Sequence, residues 1–390
     1  MKILVIHPAT SLSGGGAIAH YEFLKSLNRS GYTLVTVSYD GKDYIQDIKS
    51  SHYSISIETN KAIAKYSFNI EVFKFLDNII KQELPELIVL GQINFLFTLY
   101  LLSKKYKSKI VHIVHTAEYG CLNAMLTKKI DKSSCSGIVG FKCYQNCMPK
   151  FEMFLFRMMI HYLRNLLLKN FVGVFICHSH FMVNFMLQNG FKNLEYVPLY
   201  LALDLKTNVI REKKGNTINI IFAGTLTWNK GVYEMVKSFK ELIIDDNLTV
   251  NIHIVGTGDL INFIKSELIS VHNKRYFLHG LLNHYQTLTL LNDMDIVIFP
   301  SYFESFGLVA LEGMLLKKFL IISNRGSLPE ITSNYDCKIV LDSISCDAIL
   351  KSIKKAINVI SQKSKKIECI YQNDTEQMDS KIKNIIEKFK

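Results

Sequence analysis

The sequence predicts an α/β protein made of two doubly wound halves, and three observations carry that prediction. Apolar β-branched runs alternate with helical periodicity along the chain, the pattern of parallel strands covered by helices. The series restarts after a stretch near Asp204 to Asn216, where Lys206, Arg211, Lys213, Lys214 and Gly215 break the apolar pattern. A strand that leads into a glycine-bearing loop and then a helix occurs twice, at Gly14-Gly15-Gly16 and again from Gly224 to Gly231. At 390 residues the chain also exceeds what one hydrophobic core normally serves. The halves are placed at 1–205 and 206–373.

In the first half, strands are expected at Lys2–His7, Thr33–Ser38, Leu87–Leu90, Ile110–His115, Val172–Cys177 and Leu194–Val197. Each is a short apolar run closed by turn residues, as strands covered on both faces are. Helical periodicity predicts Ala17–Asn28 and Ile70–Gln82 between them. In the second half the expected strands are Ile218–Ala223, Thr249–Val255, Tyr276–Leu278, Ile296–Phe299 and Phe319–Ile322, with helices at Val232–Ile244 and Leu308–Leu315. No run reaches the ~18 apolar residues of a membrane span. The longest, Ile93 to Leu102, reads as a buried or interfacial helix. The opening Met1-Lys2-Ile3-Leu4-Val5-Ile6-His7 lacks a signal-peptide layout, so the expected location is cytoplasmic.

Composition is globular, with 48% hydrophobic and 21% charged residues. The net charge of +12 is concentrated: residues 87–170 hold twelve Lys or Arg against Glu118, Asp131 and Glu152, a surplus of nine. No zinc finger, recognition helix or RNA-binding signature accompanies that charge, so no nucleic-acid partner is expected. An anionic membrane surface fits better. Phe151 to Phe171 interleaves Phe, Met, Ile and Leu with Arg157, His161, Arg164 and Lys169, as an interfacial amphipathic helix does. The expectation is therefore peripheral contact at the inner face of the cytoplasmic membrane, against the alternative of a core helix with a solvated basic edge.

The chemistry concentrates in the second half. Pro300-Ser301-Tyr302-Phe303-Glu304-Ser305-Phe306-Gly307-Leu308-Val309-Ala310-Leu311-Glu312 places two carboxylates eight residues apart around a glycine at an expected helix start. Free N–H groups there suit a diphosphate, and a carboxylate accepting two hydroxyl hydrogens suits a sugar diol. This stretch resembles the E-x7-E signature of retaining glycosyltransferases of the GT-B fold, family 4, and Gly224-Thr225-Leu226-Thr227-Trp228-Asn229-Lys230-Gly231 resembles that family's phosphate-binding loop. Val255-Gly256-Thr257-Gly258-Asp259, Gly280-Leu281 and Gly326-Ser327-Leu328-Pro329-Glu330 resemble further family turns. The resemblance is strongest from 218 to 332 and weaker before it.

The resemblance implies two Rossmann-like domains facing a central cleft, with the final helix, 374–389, crossing back to the first. It implies a donor, a UDP- or GDP-linked sugar, and no required cofactor or metal. Lys230 would contact the donor diphosphate, Glu304 the sugar hydroxyls, the N–H groups of Phe306, Gly307 and Leu308 the phosphate oxygens, Glu312 the ribose and Leu281 the base. His115, at the end of its strand, would support charge at the anomeric carbon or position the 6-hydroxyl, and Gly14, Gly15 and Gly16 would let backbone approach the donor. Family members usually carry Arg where this chain has Thr225, and a hydroxyl supplies neither charge nor a bidentate fork. The implied reaction is transfer of a hexose-type sugar to an acceptor hydroxyl of a glycan or lipid-linked glycan, in cell-surface polysaccharide or lipid-linked glycan synthesis. A nucleotide-sugar epimerase of the same fold and a catalytically silent partner subunit are the alternatives.

Two other patterns invite metal readings. Asp293-Met294-Asp295 has the D-x-D form but sits between a helix and a strand, where capping and turn formation account for it. Cys121, Cys135, Cys143 and Cys147 fall close together without paired C-x2-C knuckles, leaving structural zinc and reduced loop thiols both open.

Overall fold

The computed structural model describes residues 1–7, 14–39, 48–57, 67–148, 150–201, 217–244, 249–269, 275–362, 371 and 373–389; the linker expected near Asp204 to Asn216 lies outside them. The chain divides into two compact units, Met1–Leu201 with Asp374–Lys390, and Ala202–Asn373.

In the first unit a seven-stranded sheet runs β3-β2-β1-β4-β5-β6-β7, where β1 is Lys2–Ile6, β2 Thr33–Ser38, β3 Ser50–Ser54, β4 Leu87–Leu90, β5 Lys109–Val114, β6 Val174–Cys177 and β7 Leu194–Tyr196. Every pairing is parallel, with Ile3 beside both Leu34 and Leu87. The order reverses between β1 and β4, so the loops leaving these strands diverge there and open a crevice at the carboxyl edge. The final helix, Thr375–Glu387, belongs to this unit: it buries Met378, Ile382, Ile385 and Ile386, and Asp379 takes both Arg29 Nε and Nη2 at 2.8 Å.

The second unit repeats the scheme with β10-β9-β8-β11-β12-β13, where β8 is Ile218–Ala223, β9 Val250–Val255, β10 Tyr276–Gly280, β11 Ile296–Phe299, β12 Phe319–Ser323 and β13 Lys338–Leu341. All pairings are again parallel, and the switch point lies between β8 and β11. Both sheets are covered by helices, as the α/β reading expected. Two strands went unread in the sequence, β3 and β13, and both are edges. Ser50-Ser51-His52-Tyr53-Ser54 has no apolar run because an edge strand needs only one covered side.

The helix Phe151–Phe171 has an inverted distribution. It turns His161, Arg164 and Asn165 inward alongside Phe154, Leu168 and Phe171, and leaves Phe151, Leu155, Phe156, Met159, Tyr162, Leu163 and Leu166 exposed. A polar knot explains the inner face. Arg164 lies 3.3 Å from Glu118 and donates to Asn165 Oδ1, while Asn165 Nδ2 donates to the Tyr119 carbonyl at 2.8 Å. This is neither a core helix nor one with a merely basic edge, because much of its solvent-facing surface is apolar.

Candidate functional site

The sheet order of the second unit dictates which loops meet. β8 and β11 are hydrogen-bonded neighbours, so the loop after β8, carrying Lys230, and the loop after β11, carrying Glu304, leave the same edge side by side. Tyr302 N–H donates to the Asn229 carbonyl at 2.8 Å and joins them. Gly231, at φ 69°, closes the contact: a Cβ there would stand 2.1 Å from the Pro300 carbonyl oxygen. Lys230 ends a short 3-10 turn, Trp228–Lys230, and its Nζ donates to Glu304 Oε1 at 2.7 Å.

Glu304 is held from three directions. Ser301 Oγ donates to the same Oε1 at 2.8 Å, and the Glu304 carbonyl accepts from Ser327 N–H at 3.0 Å and from Ser327 Oγ at 3.2 Å. The last two contacts come from the Gly326–Ser327 turn, which approaches so closely that a Cβ on Gly326, at φ 60°, would lie 2.1 Å from that carbonyl oxygen. Gly326→Ala is therefore expected to cost about 1–3 kcal/mol through strain and clash. The lone tryptophan, Trp228, makes its fluorescence the measurement that checks this: the unfolding midpoint of the second unit should fall, and an unchanged midpoint would contradict the packing.

Next to this pair the helix Leu308–Leu315 opens at Gly307, whose left-handed φ of 87° suits glycine and whose absent side chain leaves room for Leu328. No side chain caps this end and no acid sits in its first turn, so its first N–H groups lack intrahelical partners and the local field is positive. Phe306, Gly307 and Leu308 thus line one turn. Thr225 is exposed at the head of the β8 loop and brings no charge. Glu312, one turn further into the helix, is 1% exposed, and His284 Nε2 donates to its Oε1 at 2.7 Å. Burial raises this carboxyl's pKa, and the hydrogen bond from His284 offsets only part of the rise. Leu281 follows Gly280 in the turn after β10 and is 68% exposed.

The first unit gathers histidines at the same edge of its own sheet. His7 follows β1, His115 follows β5 and His178 follows β6, and His20 reaches in from the helix Gly15–Arg29. His7 and His20 stack at 4.2 Å between centroids, His115 lies 6.4 Å from His20 and 6.0 Å from His178. Gly91, which follows β4, makes room: a Cβ there would meet both His20 and His7 at 2.4 Å. A Cβ on Gly16 would touch His115 at 3.6 Å, so the glycine loop and this imidazole adjoin, while Gly14, at φ 100°, faces open space and Gly15 starts the helix. Burial, followed by the neighbouring His178, holds His115 well below the usual histidine range.

This geometry has known counterparts. Residues 206–371 match the family model described as glycosyl transferases group 1. The second unit is a group 1 glycosyl transferase domain. An uncharacterized glycosyltransferase of Methanocaldococcus jannaschii is 32% identical over 114 residues, covering 29% of this chain and 28% of that protein. The capsular polysaccharide biosynthesis glycosyltransferase CapM of Staphylococcus aureus is 26% identical over 161 residues, 40% of this chain and 41% of CapM. The chain thus matches these relatives over well under half their length. The whole chain also shares the fold of Anabaena HepE, solved in complex with UDP-glucose, with a TM-score of 0.67 at 12% identity and 100% of both chains covered. The fold is that of the GT-B glycosyltransferases.

In the group 1 domain, Lys230, Glu304, Gly307 and the first turn of the following helix come together, with Thr225 at the rim. Three supporting residues escaped the sequence reading. Ser301 and Ser327 stand inside motif stretches without a role of their own there, and His284 stands in none; Ser301 reaches Glu304 within one loop, whereas Ser327 and His284 act through contacts between loops distant in the chain. Asp295 Oδ2 accepts from Asn219 N–H at 2.8 Å, and Asp293 is the C-cap of the helix His284–Asn292. Cys121, Cys135, Cys143 and Cys147 are free thiols in the segment between β5 and the helix Phe151–Phe171, with Cys143 and Cys147 one turn apart on the helix Phe141–Cys147. Burial raises the pKa of Cys143 and of Cys147. Among the described residues no three His, Cys, Asp or Glu side chains are placed to hold a metal ion.

Proposed function

We propose that this protein is a retaining glycosyltransferase that moves a hexose-type sugar from a UDP- or GDP-linked donor to an acceptor hydroxyl of a glycan or lipid-linked glycan. The observation that carries the reading is the Lys230–Glu304 contact at 2.7 Å beside an uncapped helix start. One cation and a row of backbone donors can take the negative charge that builds on a departing diphosphate, and a fixed carboxylate can accept the sugar's hydroxyls. Lys230 supplies that charge, the N–H groups of Phe306, Gly307 and Leu308 supply the fork, and Glu304 orients the sugar. Glu312 takes the ribose and Leu281 the base. Retention follows from same-face attack, in which a donor phosphate oxygen receives the acceptor proton as the sugar–phosphate bond breaks. No divalent ion is required in this scheme. His115 and the Gly14–Gly16 loop are assigned to the same reaction from the first unit. The test is slow hydrolysis across a panel of UDP- and GDP-sugars. Release of nucleotide from one donor, lost in Glu304→Ala, supports the reading, epimerised donor without release favours an epimerase, and no turnover of any donor sinks it.

We further propose that the acceptor is met at an anionic membrane surface, a reading that the inverted helix Phe151–Phe171 supports. Its exposed apolar side chains, together with Phe141 and Ile138, are bordered by Lys142, Lys150, Arg157 and Lys169, the pairing of apolar insertion with basic contact that interfaces favour. No helix among the described residues is long and apolar enough to cross a membrane, and the contact proposed is a peripheral one. In sedimentation with phosphatidylglycerol vesicles, Leu155→Glu with Met159→Glu is expected to cut the bound fraction ~10-fold or more, since each change removes apolar burial and adds repulsion. Equal sedimentation of variant and parent would refute the assignment.

A further inference from the structure

Burying an ionised carboxylate without a partner costs several kcal/mol on the scale of ~3–5, so a chain that hides Glu312 to 1% exposure must compensate it. The compensation is local and directional. His284 Nε2 sits 2.7 Å from Glu312 Oε1, and an ionised carboxylate only accepts, so pairing with the ionised form requires the imidazole proton on Nε2. The backbone that presents His284 is itself fixed. His284 is the first residue of the helix His284–Asn292, one position after Asn283, whose side chain accepts from Gln286 N–H at 2.8 Å while Gln286 Oε1 accepts from Asn283 N–H at 3.0 Å. Such a reciprocal cap leaves the imidazole little freedom to move away from the carboxylate. The same turn begins at Gly280, at φ 68°, and carries Leu281 outward, so one short connection from β10 serves both the residue assigned to the base and the partner of the residue assigned to the ribose.

We infer that His284 is a positioning residue for nucleotide recognition: by occupying Glu312 Oε1 it keeps the carboxylate ionised and turns the other oxygen toward the 2′- and 3′-hydroxyls of the donor's ribose. This rests on the donor-site reading above and adds to it a residue that no sequence motif marks. In this arrangement the ribose hydroxyls donate to Glu312 while His284 donates from the opposite side, and both sets of hydrogen bonds are charge-assisted. Loss of the imidazole would leave a buried carboxyl that protonates, and a protonated carboxyl accepts a diol poorly.

Titration calorimetry with UDP, GDP and their 2′,3′-dideoxy forms tests this on wild type, His284→Ala and His284→Gln. The expected result is a ~10-fold weaker affinity of His284→Ala for the ribonucleotide, a change within about twofold for the dideoxy form, and recovery of most of the loss in His284→Gln, whose amide N–H can replace the imidazole donor. With a turned-over donor sugar, the same variants should raise KM and leave kcat nearly unchanged. Equal weakening of ribo- and dideoxynucleotides would mean that His284 serves only the fold and would overturn the inference, as would unaltered affinity in His284→Ala. Wild-type protein that binds neither nucleotide overturns the donor-site reading itself, and the inference with it.

Discussion

Lys230→Ala is expected to lower donor turnover by ~10²–10³-fold while leaving the unfolding midpoint almost unchanged, and the two halves of that result have separate causes. Lys230 and Glu304 keep 23% and 17% of their side-chain surface exposed, and a half-open ion pair contributes little net stability after screening and side-chain ordering. Charge on a leaving diphosphate is different, because it appears only as the bond breaks and must be met by groups already in place. Lys230 is in place: the 3-10 turn, the Gly231–Pro300 approach and the Tyr302 N–H to Asn229 carbonyl bond fix its backbone, and Glu304 fixes its ammonium. Thr225 raises the stakes, since the cation family members usually carry there is absent and Lys230 has less company. Glu304→Gln keeps the shape and loses the charge, and is expected to cost less than Lys230→Ala. Single-turnover rates on the active donor, with thermal scans alongside, check both claims. A Lys230→Ala enzyme retaining a third of wild-type turnover would remove this residue from the chemistry, and one that fails to fold would remove the claim of separable causes.

How far the sequence led can be judged on these same residues. β2, β4, β8 and β11 fall where the apolar runs placed them, because strands covered on both faces must be apolar throughout. β3 did not, because at an edge Ser50, Ser51 and Ser54 satisfy the backbone ladder without filling a core. The helix Phe151–Phe171 was legible in extent, yet which of its faces is inward was not. Its periodicity says where apolar residues lie, whereas burial was decided by Glu118 and Tyr119, which draw Arg164 and Asn165 inward from a loop some forty-six residues away. Lys230 and Glu304 could be named from local spacing because each lies in a turn whose glycines are visible in the chain. Ser327 and His284 could not, since their importance arises only when the loops that follow β10, β11 and β12 meet at one edge of the sheet.

Acid should loosen the first unit between about pH 6.5 and pH 4, through histidines that the fold holds neutral. His112 and His178 are 1% and 4% exposed, and burial lowers each pKa to about 4 from the usual 6.5. Each donates Nδ1–H to a carbonyl, Leu90 for His112 and Val197 for His178, both at 2.9 Å, and His112 Nε2 takes the Tyr119 hydroxyl at 2.5 Å. His20 is lowered further by burial and by the neighbouring His7. The sign follows from linkage: below pH 6.5 the unfolded chain binds protons that the folded one refuses, so stability present at neutral pH drains away as pH falls toward the folded pKa. At about 1.4 kcal/mol per unit of pKa difference, His112 and His178 alone would remove several kcal/mol by pH 4, a large share of a typical 5–15 kcal/mol. In the second unit the pair His253 and His279 is more open to solvent, so the same effect there is weaker. Urea unfolding at pH 7.5, 6 and 5, followed by far-UV circular dichroism for both units and by Trp228 fluorescence for the second, separates the two. The dichroism midpoint should fall steeply with acidity while the fluorescence midpoint falls less, and His178→Gln should flatten the dichroism trend at the expense of neutral stability. A dichroism midpoint that holds steady from pH 7.5 to 5 would show that these imidazoles take up protons as readily in the folded chain as in the unfolded one, and the edge of the first sheet would then need a different electrostatic account.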